Sequence, residues 1–268
     1  MRAFLALGLA LMLGPLTISV SRASQPLETE SARALPRGAM KFEASLEWQT
    51  SPEGTETAVP LVFDYGLSDR LELSLEPVVN ARITPDAGKG ASGVGDLEAT
   101  LKWVVRPERE QRVGIALGFE VKVPTANDRL IGTGKTDWRT FVAASHRHER
   151  WDWHANAGYT VLGKPPGLKL DNVFDAGLAM EYHASDRLDW IGEVTGSSAA
   201  VGETPDSPAG AVVTSSTALA LNPEIGSEEL VGMLGLRYFW RKDAAFTFGV
   251  TYDNEGAVSV RPGVSVRW

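Results

Sequence analysis

The sequence predicts an all-β fold: a transmembrane antiparallel up-and-down β-barrel of about twelve strands, preceded by a cleaved signal peptide. Three observations lead to this prediction. Apolar and polar residues alternate along segments of roughly ten residues, which is the length at which a tilted strand crosses a bilayer. The connections between these segments alternate between short and long, and the last segment ends on an aromatic residue.

The amino terminus has the three parts of a secretory signal peptide. Arg2 supplies the positive charge, residues 3–16 form the apolar stretch, and residues 21–23 form a small-x-small cleavage site. A single transmembrane helix is the alternative, but the apolar run is too short and a Gly-Pro pair interrupts it. The domain prediction is therefore a signal peptide over 1–23, an unstructured lead-in over 24–39 and the barrel over 40–268.

The composition excludes several classes of protein. The chain has 268 residues, of which 43% are hydrophobic and 22% charged, unlike a helical membrane protein and typical of a barrel with a polar interior. Cysteine is absent, which excludes a disulfide framework, a thiol nucleophile and a thiolate metal site. A net charge of −8 argues against a nucleic-acid partner. We expect no cofactor and no metal.

Twelve segments carry the alternation, since side chains along a strand point to opposite faces in turn. In 112–123, six apolar residues share one face opposite small and charged residues, whereas 137–147 has no clear alternation, so its facing is not assigned. The predicted strands are 40–49, 57–65, 71–79, 93–105, 112–123, 137–147, 151–162, 172–183, 188–194, 229–240, 245–252 and 258–268. Aromatic residues lie mostly near the strand ends, as in an interfacial girdle; they are Trp48, Tyr65, Trp103, Trp138, Trp151, Tyr182, Trp240 and Trp268.

The connections after even-numbered strands are short, and those after odd-numbered strands are mostly long and rich in Gly and Pro. Outer-membrane barrels have short periplasmic turns and long outer loops, so both termini of the barrel are predicted on the periplasmic side. The longest connection is 196–228, in which 211–221 is a candidate strand extension above the membrane.

The final strand ends on Trp268, with apolar residues at every second position back to Val258. This ending resembles the signal by which bacterial outer-membrane barrels are recognised for insertion. It predicts the barrel assembly machinery and outer-membrane lipid as partners. A secreted jelly roll or sandwich is the soluble alternative, but it would have to bury the apolar faces and the many Trp residues in one core.

Several short segments resemble a bacterial outer-membrane family described as MetA-pathway of phenol degradation or transporter-type proteins. They are YGLSDRLEL at 65–73, GVGDL at 93–97, LKW at 101–103, KVPT at 122–125, GTG at 132–134, DW at 137–138 and GLRY at 235–238. The similarity spans roughly 40–268, and Ala126 departs from it where Gly is expected after Pro-Thr. The resemblance implies an outer-membrane transport role for aromatic or other hydrophobic compounds.

The alternation also predicts which side chains line the lumen. The candidates are Glu43, Glu72, Asp96, Glu98, Lys102, Glu120, Lys122, Asp152, His154, Asp175, Glu181, Glu193, Arg237 and Arg261. Twelve strands enclose a wider interior than the eight-strand case, in which side chains just fill the space. An open or gated channel with an acidic lining would favour cations. The alternative is a closed polar core in which these acids and bases neutralise one another.

The sequence offers few groups for catalysis or metal binding. Ser145 and His146 are neighbours and point to opposite faces, and no Ser and His pair is expected within hydrogen-bond reach, so we predict no enzyme. His146 and His148 share a face near a turn, which is more often solvated than metal-binding. Residues 132–135 (GTGK) resemble part of a phosphate loop, but the first glycine and the following helix are missing.

The function predicted from these features is a passive channel or transporter for small solutes, with hydrophobic or aromatic compounds among the candidates. The first alternative is a structural or surface-interaction barrel without an open pore, which acts through the long outer loop 196–228. An outer-membrane lipid hydrolase is the third candidate.

Overall fold

The computed structural model describes residues 25–166, 170–200 and 228–268. Every regular element in these residues is a β-strand, and none of them forms a helix long and apolar enough to cross a membrane. The strands are β1 (Met40–Ser45), β2 (Glu47–Ser51), β3 (Gly54–Ser68), β4 (Leu71–Pro85), β5 (Ala91–Gly93), β6 (Leu97–Arg106), β7 (Gly114–Val123), β8 (Asp137–His148), β9 (Trp151–Val161), β10 (Val173–His183), β11 (Leu188–Ser197), β12 (Glu229–Arg241), β13 (Ala244–Asp253) and β14 (Val258–Arg267).

The strands form one antiparallel sheet that closes on itself. Each strand from β6 to β14 pairs with the next along the chain, and β14 pairs with both β1 and β2. β1 and β2 are two halves of one wall strand separated at Leu46. β5 and β6 pair with successive parts of β4 and likewise form one wall strand, so the wall has twelve strands. The predicted twelve-strand up-and-down barrel is confirmed. Because the sheet is closed, the described strands leave no unpaired sheet edge. An unpaired edge would expose backbone N–H and C=O groups to lipid, which is strongly unfavourable.

The two faces of the wall differ as the alternation predicts. In β7, Leu117 is 46% exposed on the outer face, whereas Glu120 is 7% exposed and points into the ring. The same contrast repeats around the barrel, where exposed Leu, Phe, Trp and Tyr side chains form an apolar outer surface. A soluble sandwich would bury these rows between two sheets, so the closed ring with an apolar exterior rules out that alternative.

Strand β8 shows why its facing could not be read from the sequence. Trp138 and Val142 point outward, but Phe141 points inward and is buried. Its ring lies against Gly118, where a Cβ atom would come within 2.0 Å of the Phe141 ring, and the Arg139 guanidinium lies 4.8 Å from the ring centroid. An aromatic residue on the inner wall therefore interrupts the alternation.

The short turns lie at the same end of the barrel as the chain termini of the wall, as predicted. Residues 69–70, 149–150 and 242–243 form two-residue turns at one end of the barrel. The chain termini of the wall meet at this same end, where Met40 and Trp268 exchange backbone hydrogen bonds of 2.9 and 3.0 Å. The predicted signal peptide and the candidate extension at 211–221 lie outside the described residues.

The N-terminal segment before β1 differs from the unstructured lead-in expected over 24–39. Residues 25–36, which we call the plug segment, lie inside the ring, and Thr29, Ala32 and Leu35 in it are buried. The reason is polar complementarity. The wide interior of a twelve-strand barrel presents acids and bases, and the polar backbone of the plug segment satisfies many of them.

Candidate functional site: the lumen and the plug segment

The inner wall carries ion pairs both within one strand and between strands. Nine of the fourteen residues predicted to line the lumen take part in these pairs. Ion pairs within the wall are Lys41 with Glu43 (3.2 Å), Lys102 with Glu72 (3.0 Å), Lys122 with Asp96 (3.6 Å), Arg139 with Asp175 (2.6 Å) and with Glu120 (3.4 Å), and Arg237 with Glu181 (3.1 Å). The remaining candidates have other surroundings: Asp152, Glu193 and Arg261 contact the plug segment, His154 contacts Ser145, and Glu98 borders a cavity.

The plug segment is anchored first to β11. The carboxylate of Glu193 accepts backbone hydrogen bonds from Glu28 (3.0 Å) and Thr29 (3.0 Å), one from the Thr29 hydroxyl (3.2 Å), and a further backbone bond from Leu27. A carboxylate that accepts several N–H groups is well satisfied even when it is removed from water. Glu193 therefore fixes the path of residues 27–29 against one side of the ring.

The middle of the plug segment is bound to strands on both sides of the ring, first to β9 near β11 and then to β4 across from it. Arg33 donates to both carboxylate oxygens of Asp152 on β9 (3.0 and 2.8 Å) and to Glu108 in the turn between β6 and β7 (2.8 Å). The backbone N–H of Leu35 donates to Glu72 on β4 (2.7 Å). Planar two-point pairing of a guanidinium with a carboxylate is the strongest common ion-pair geometry, so Arg33 is the main electrostatic anchor.

Basic residues of the wall hold the beginning of the plug segment. Arg237 on β12 donates to the carbonyl oxygens of Gln25 (2.6 Å) and Pro26 (2.7 Å), and Arg261 on β14 forms an ion pair with Glu28. The segment thus contacts wall strands on every side of the ring and crosses the bore.

Small residues of the wall make room for the plug segment. A Cβ atom at Gly66 would lie 2.1 Å from the carbonyl oxygen of Pro36, and one at Gly235 would lie 2.8 Å from a methyl group of Leu27. Both distances are shorter than a van der Waals contact, so any larger residue would displace the segment or the strand.

A cavity of about 150 Å³ remains beyond the plug segment, among the strand ends opposite the termini. Gln25, Glu28 and Glu30 of the plug segment form its inner side. Its walls come from the outer ends of most strands, and it faces the side of the barrel that carries the longer loops. Among the described residues, the plug segment therefore crosses the lumen, and the cavity lies between it and the outer end of the barrel.

The structure corrects the expectation that no serine and histidine come within hydrogen-bond reach. Ser145 and His154 are direct partners across β8 and β9, and Ser145 Oγ lies 2.8 Å from His154 Nδ1. The oxygen Oε1 of Glu181 lies 3.9 Å from His154 Nε2. The three residues have the types of a hydrolytic triad. However, Ser145 is 1% exposed and its Oγ accepts the Ala32 N–H (2.8 Å), so in this conformation the plug segment covers it.

Histidines elsewhere belong to polar contacts of the wall. His146 lies 3.9 Å from Glu108, and among the described residues neither His146 nor His148 belongs to a group of three or more side chains that could hold a metal ion. Glu181, His183 and Asp189 do offer ligand atoms within 4.8 Å of one another. The two ring nitrogens of His183 already contact Asp189 (2.7 Å) and Asp152 (3.1 Å), so this group is first an ion-pair network.

Comparison with known proteins places the chain in a family. Residues 23–268 match the family described as "Putative MetA-pathway of phenol degradation". The chain belongs to this family. The resemblance noted in the short segments from 65–73 to 235–238 is thereby confirmed, and the match covers the plug segment as well as the barrel. No curated protein sequence matches the chain.

Solved structures similar to this family member are outer-membrane barrels. An outer membrane channel from Pseudomonas putida F1 has a TM-score of 0.69 at 15% identity, covering 88% of this chain and 98% of its own. The NanC porin has a TM-score of 0.57 and the KdgM porin, solved in complex with disordered oligogalacturonate, one of 0.55; each is 11% identical and covers 84% of this chain and 98% of its own. At these identities the similarity establishes the outer-membrane barrel fold.

Proposed function

We propose that this protein is a passive outer-membrane channel for small solutes, and that the conformation described here is its closed state. The observation that carries the proposal is the plug segment, a piece of chain that crosses the bore and leaves a cavity of about 150 Å³ on its outer side among the described residues. Similar structures that are named channels and porins support the same class of function.

The contacts between the plug segment and the wall are of a kind that allows the segment to be displaced from the lumen. Residues 25–36 contact the wall through many hydrogen bonds and ion pairs, such as those to Glu193, Asp152 and Glu72, and their apolar packing is limited to small groups such as Ala32 with Val104 and Phe141. Water can replace such partners, whereas an apolar core could be exposed only at a cost of about 25 cal/mol per Å². Displacing the plug segment would leave a hydrated, ionic bore through the barrel.

A purely structural barrel would not need this arrangement. Eight strands already give an interior that side chains fill, so a barrel without transport could remain narrow. Here twelve strands enclose a lumen that the inner side chains do not fill, and the chain closes it with its own N-terminal residues. We infer that the extra width serves passage of a solute.

We also propose how the protein reaches the outer membrane. Residues 1–23 would direct it across the inner membrane as a signal peptide and then be removed. The barrel assembly machinery would recognise β14 and the Trp268 that follows it. The apolar outer face would then contact outer-membrane lipid. We propose no catalytic activity.

Conductance in planar lipid bilayers tests the proposal. The mature chain should give rare current steps, and a variant lacking residues 25–36 should give larger and more frequent steps because its bore is unblocked. Arg37→Ala, outside the plug segment and with an exposed side chain, serves as the control and should behave as the mature chain. If the folded deletion variant gives no current, the structural or surface-interaction barrel acting through 196–228 becomes the better proposal.

A further inference from the structure

Three exposed arginines share one corner of the end of the barrel that carries the short turns. Arg70 lies in the turn between β3 and β4, Arg106 ends β6, and Arg112 comes two residues before β7. The backbone carbonyl of Arg70 accepts a hydrogen bond from the N–H of Val104 (2.8 Å), and Nε of Arg106 donates to the carbonyl of Val113 (3.0 Å), next to Arg112. We call these three residues the arginine patch.

A β-bulge places Arg106 on the outer face of the wall. The pairing of β6 with β7 shifts by one residue just before Arg106, so that its cross-strand partner is Ile115. Ile115 lies two positions from Leu117, which pairs with Trp103 on the outer face, and alternate residues of a strand share a face. Without the extra residue of the bulge, Val105 would take the outer position and Arg106 would point into the ring.

The acidic residues of the same two turns face the bore instead. Asp69, Glu108 and Glu110 line the cavity at this end of the lumen together with Arg109, whereas the residues of the arginine patch do not line it. Glu108 pairs there with the plug segment, and the carboxylate of Asp69 accepts the backbone N–H of Arg37 (3.1 Å). The charges of this corner are therefore separated, with the acids toward the lumen and the arginine patch toward the outside.

The arginine patch continues the lipid-facing surface of the barrel. Leu101 and Trp103 of β6 are 41% and 52% exposed on the outer face, and Arg106 follows them on that face. Exposed Trp side chains of membrane proteins lie at the level of the lipid headgroups, so a basic side chain just beyond Trp103 is at the depth of the phosphates. The short turns of outer-membrane barrels are periplasmic, which assigns this corner to the periplasmic leaflet.

We propose that the arginine patch binds the headgroup of an anionic phospholipid of the periplasmic leaflet, with its phosphate at Arg106 and the neighbouring guanidinium groups and its glycerol against Trp103. A guanidinium can donate two parallel hydrogen bonds to one phosphate. Each basic side chain near an anionic membrane surface strengthens binding by about fivefold. The inference concerns the outer face of the wall and does not depend on whether the bore opens.

The test is retention of lipid by the folded mature chain. Protein in detergent is incubated with equal concentrations of phosphatidylglycerol and phosphatidylcholine that have the same acyl chains, and native mass spectrometry counts the bound molecules of each. We expect phosphatidylglycerol to be retained at least about tenfold more than phosphatidylcholine, because more than one arginine contacts its headgroup. In a third arm, an equal amount of lipid A is added as a competitor and should displace little of the phosphatidylglycerol.

Variants separate the arginine patch from the other charges of this end. Arg70→Gln combined with Arg106→Gln should lower retention of phosphatidylglycerol by about fivefold or more and leave phosphatidylcholine unchanged. Arg150→Gln combined with Arg187→Gln is the matched control, because it removes two exposed arginines from other turns at the same end of the barrel. Trp103→Leu should weaken retention of both lipids alike. The heat-dependent mobility shift on gels verifies that each variant is folded.

Three results would overturn the proposal. The first is equal retention of the two lipids by the mature chain, and the second is an equal loss of phosphatidylglycerol in the two double variants, which would assign the preference to the total charge of this end. The third is displacement of phosphatidylglycerol by lipid A, which would assign the arginine patch to the lipid of the other leaflet. Since no current is measured, failure of this proposal leaves the channel proposal untouched, and the reverse also holds.

Discussion

Arg33 of the plug segment and Asp152 of β9 form a two-point ion pair inside the barrel, with nitrogen–oxygen distances of 3.0 and 2.8 Å. Asp152 is 1% exposed and also receives hydrogen bonds from Arg147. The pair joins Arg33 to a residue more than a hundred positions later in the chain. The bore is therefore blocked by contacts between the plug segment and the wall, and not by the wall side chains alone.

Removing this anchor should loosen the plug segment. For Arg33→Ala we expect more frequent channel openings, by about tenfold or more, because a charge-assisted hydrogen bond contributes roughly 1.5–3 kcal/mol to the closed state. Asp152 keeps its contacts with Arg147 and His183, so the barrel itself should still fold. Single-channel recording measures the open fraction. An open fraction equal to that of Arg37→Ala would show that Arg33 does not hold the closed state.

The carboxylate of Glu193 provides a second, independent anchor. Glu193→Gln retains the size of the side chain but loses the charge that the N–H groups of Glu28 and Thr29 share. We expect the plug segment to become several-fold more sensitive to limited proteolysis in detergent, while the wall remains resistant. Glu43→Gln, which alters the wall away from the plug segment, should show no change. Equal cleavage rates in the two variants would contradict the role given to Glu193.

Because Leu117 and Glu120 of β7 lie on opposite faces of the wall, substitutions at these two positions should differ in their effect on membrane insertion. Leu117→Arg places a charge on the lipid face and should reduce insertion stability by about 2–4 kcal/mol if the site is near the bilayer midplane. Glu120→Gln lies on the inner face and should insert normally. Folding yield into lipid vesicles, followed by the heat-dependent mobility shift on gels, compares the two. Similar yields for both variants would mean that the faces are misassigned.

The buried set Ser145, His154 and Glu181 is expected to be structural. Ser145 donates to or accepts from His154 and also accepts the Ala32 N–H, which leaves it no approach for a substrate in the closed conformation. Incubation with phospholipid, with and without Ca²⁺, should release no fatty acid from either the mature chain or the variant lacking residues 25–36. Fatty acid release that Ser145→Ala abolishes would overturn this expectation and restore the hydrolase candidate.

The wall could be predicted because lipid imposes a simple rule on it. Along β7, every second residue from Ile115 to Val123 must be apolar, and the two-residue alternation follows directly. The rule failed at β8, where Phe141 occupies an inner position supported by Gly118 on the neighbouring strand. That support depends on a cross-strand partner, which alternation within one segment does not reveal.

The contact between Ser145 and His154 was missed because the facing of 137–147 was not assigned and its register with 151–162 was not predicted. The sequence suggested a three-residue turn at 148–150, whereas the structure has a two-residue turn at Glu149 and Arg150. One residue of difference shifts the register and changes which side chains face each other. A turn assigned at Glu149 and Arg150 would have paired His148 with Trp151 and hence Ser145 with His154.

The plug segment could not be predicted because it has no periodic pattern. Its order comes from partners distributed over the chain from Glu72 to Arg261, which only the closed barrel brings together. The charges Glu28, Glu30 and Arg33 in the short stretch 25–36 were the available indication, and taken alone they are equally typical of a solvated linker.

A reversible cross-link between the plug segment and the wall tests the central claim most directly. The chain has no cysteine, so Ala32→Cys with Ser145→Cys introduces one thiol pair at residues joined by a 2.8 Å hydrogen bond. In a planar bilayer, the oxidised protein should give no current steps, and addition of a reductant should restore openings in the same membrane. Identical current before and after reduction, with the disulfide verified by mass spectrometry, would contradict closure of the bore by the plug segment.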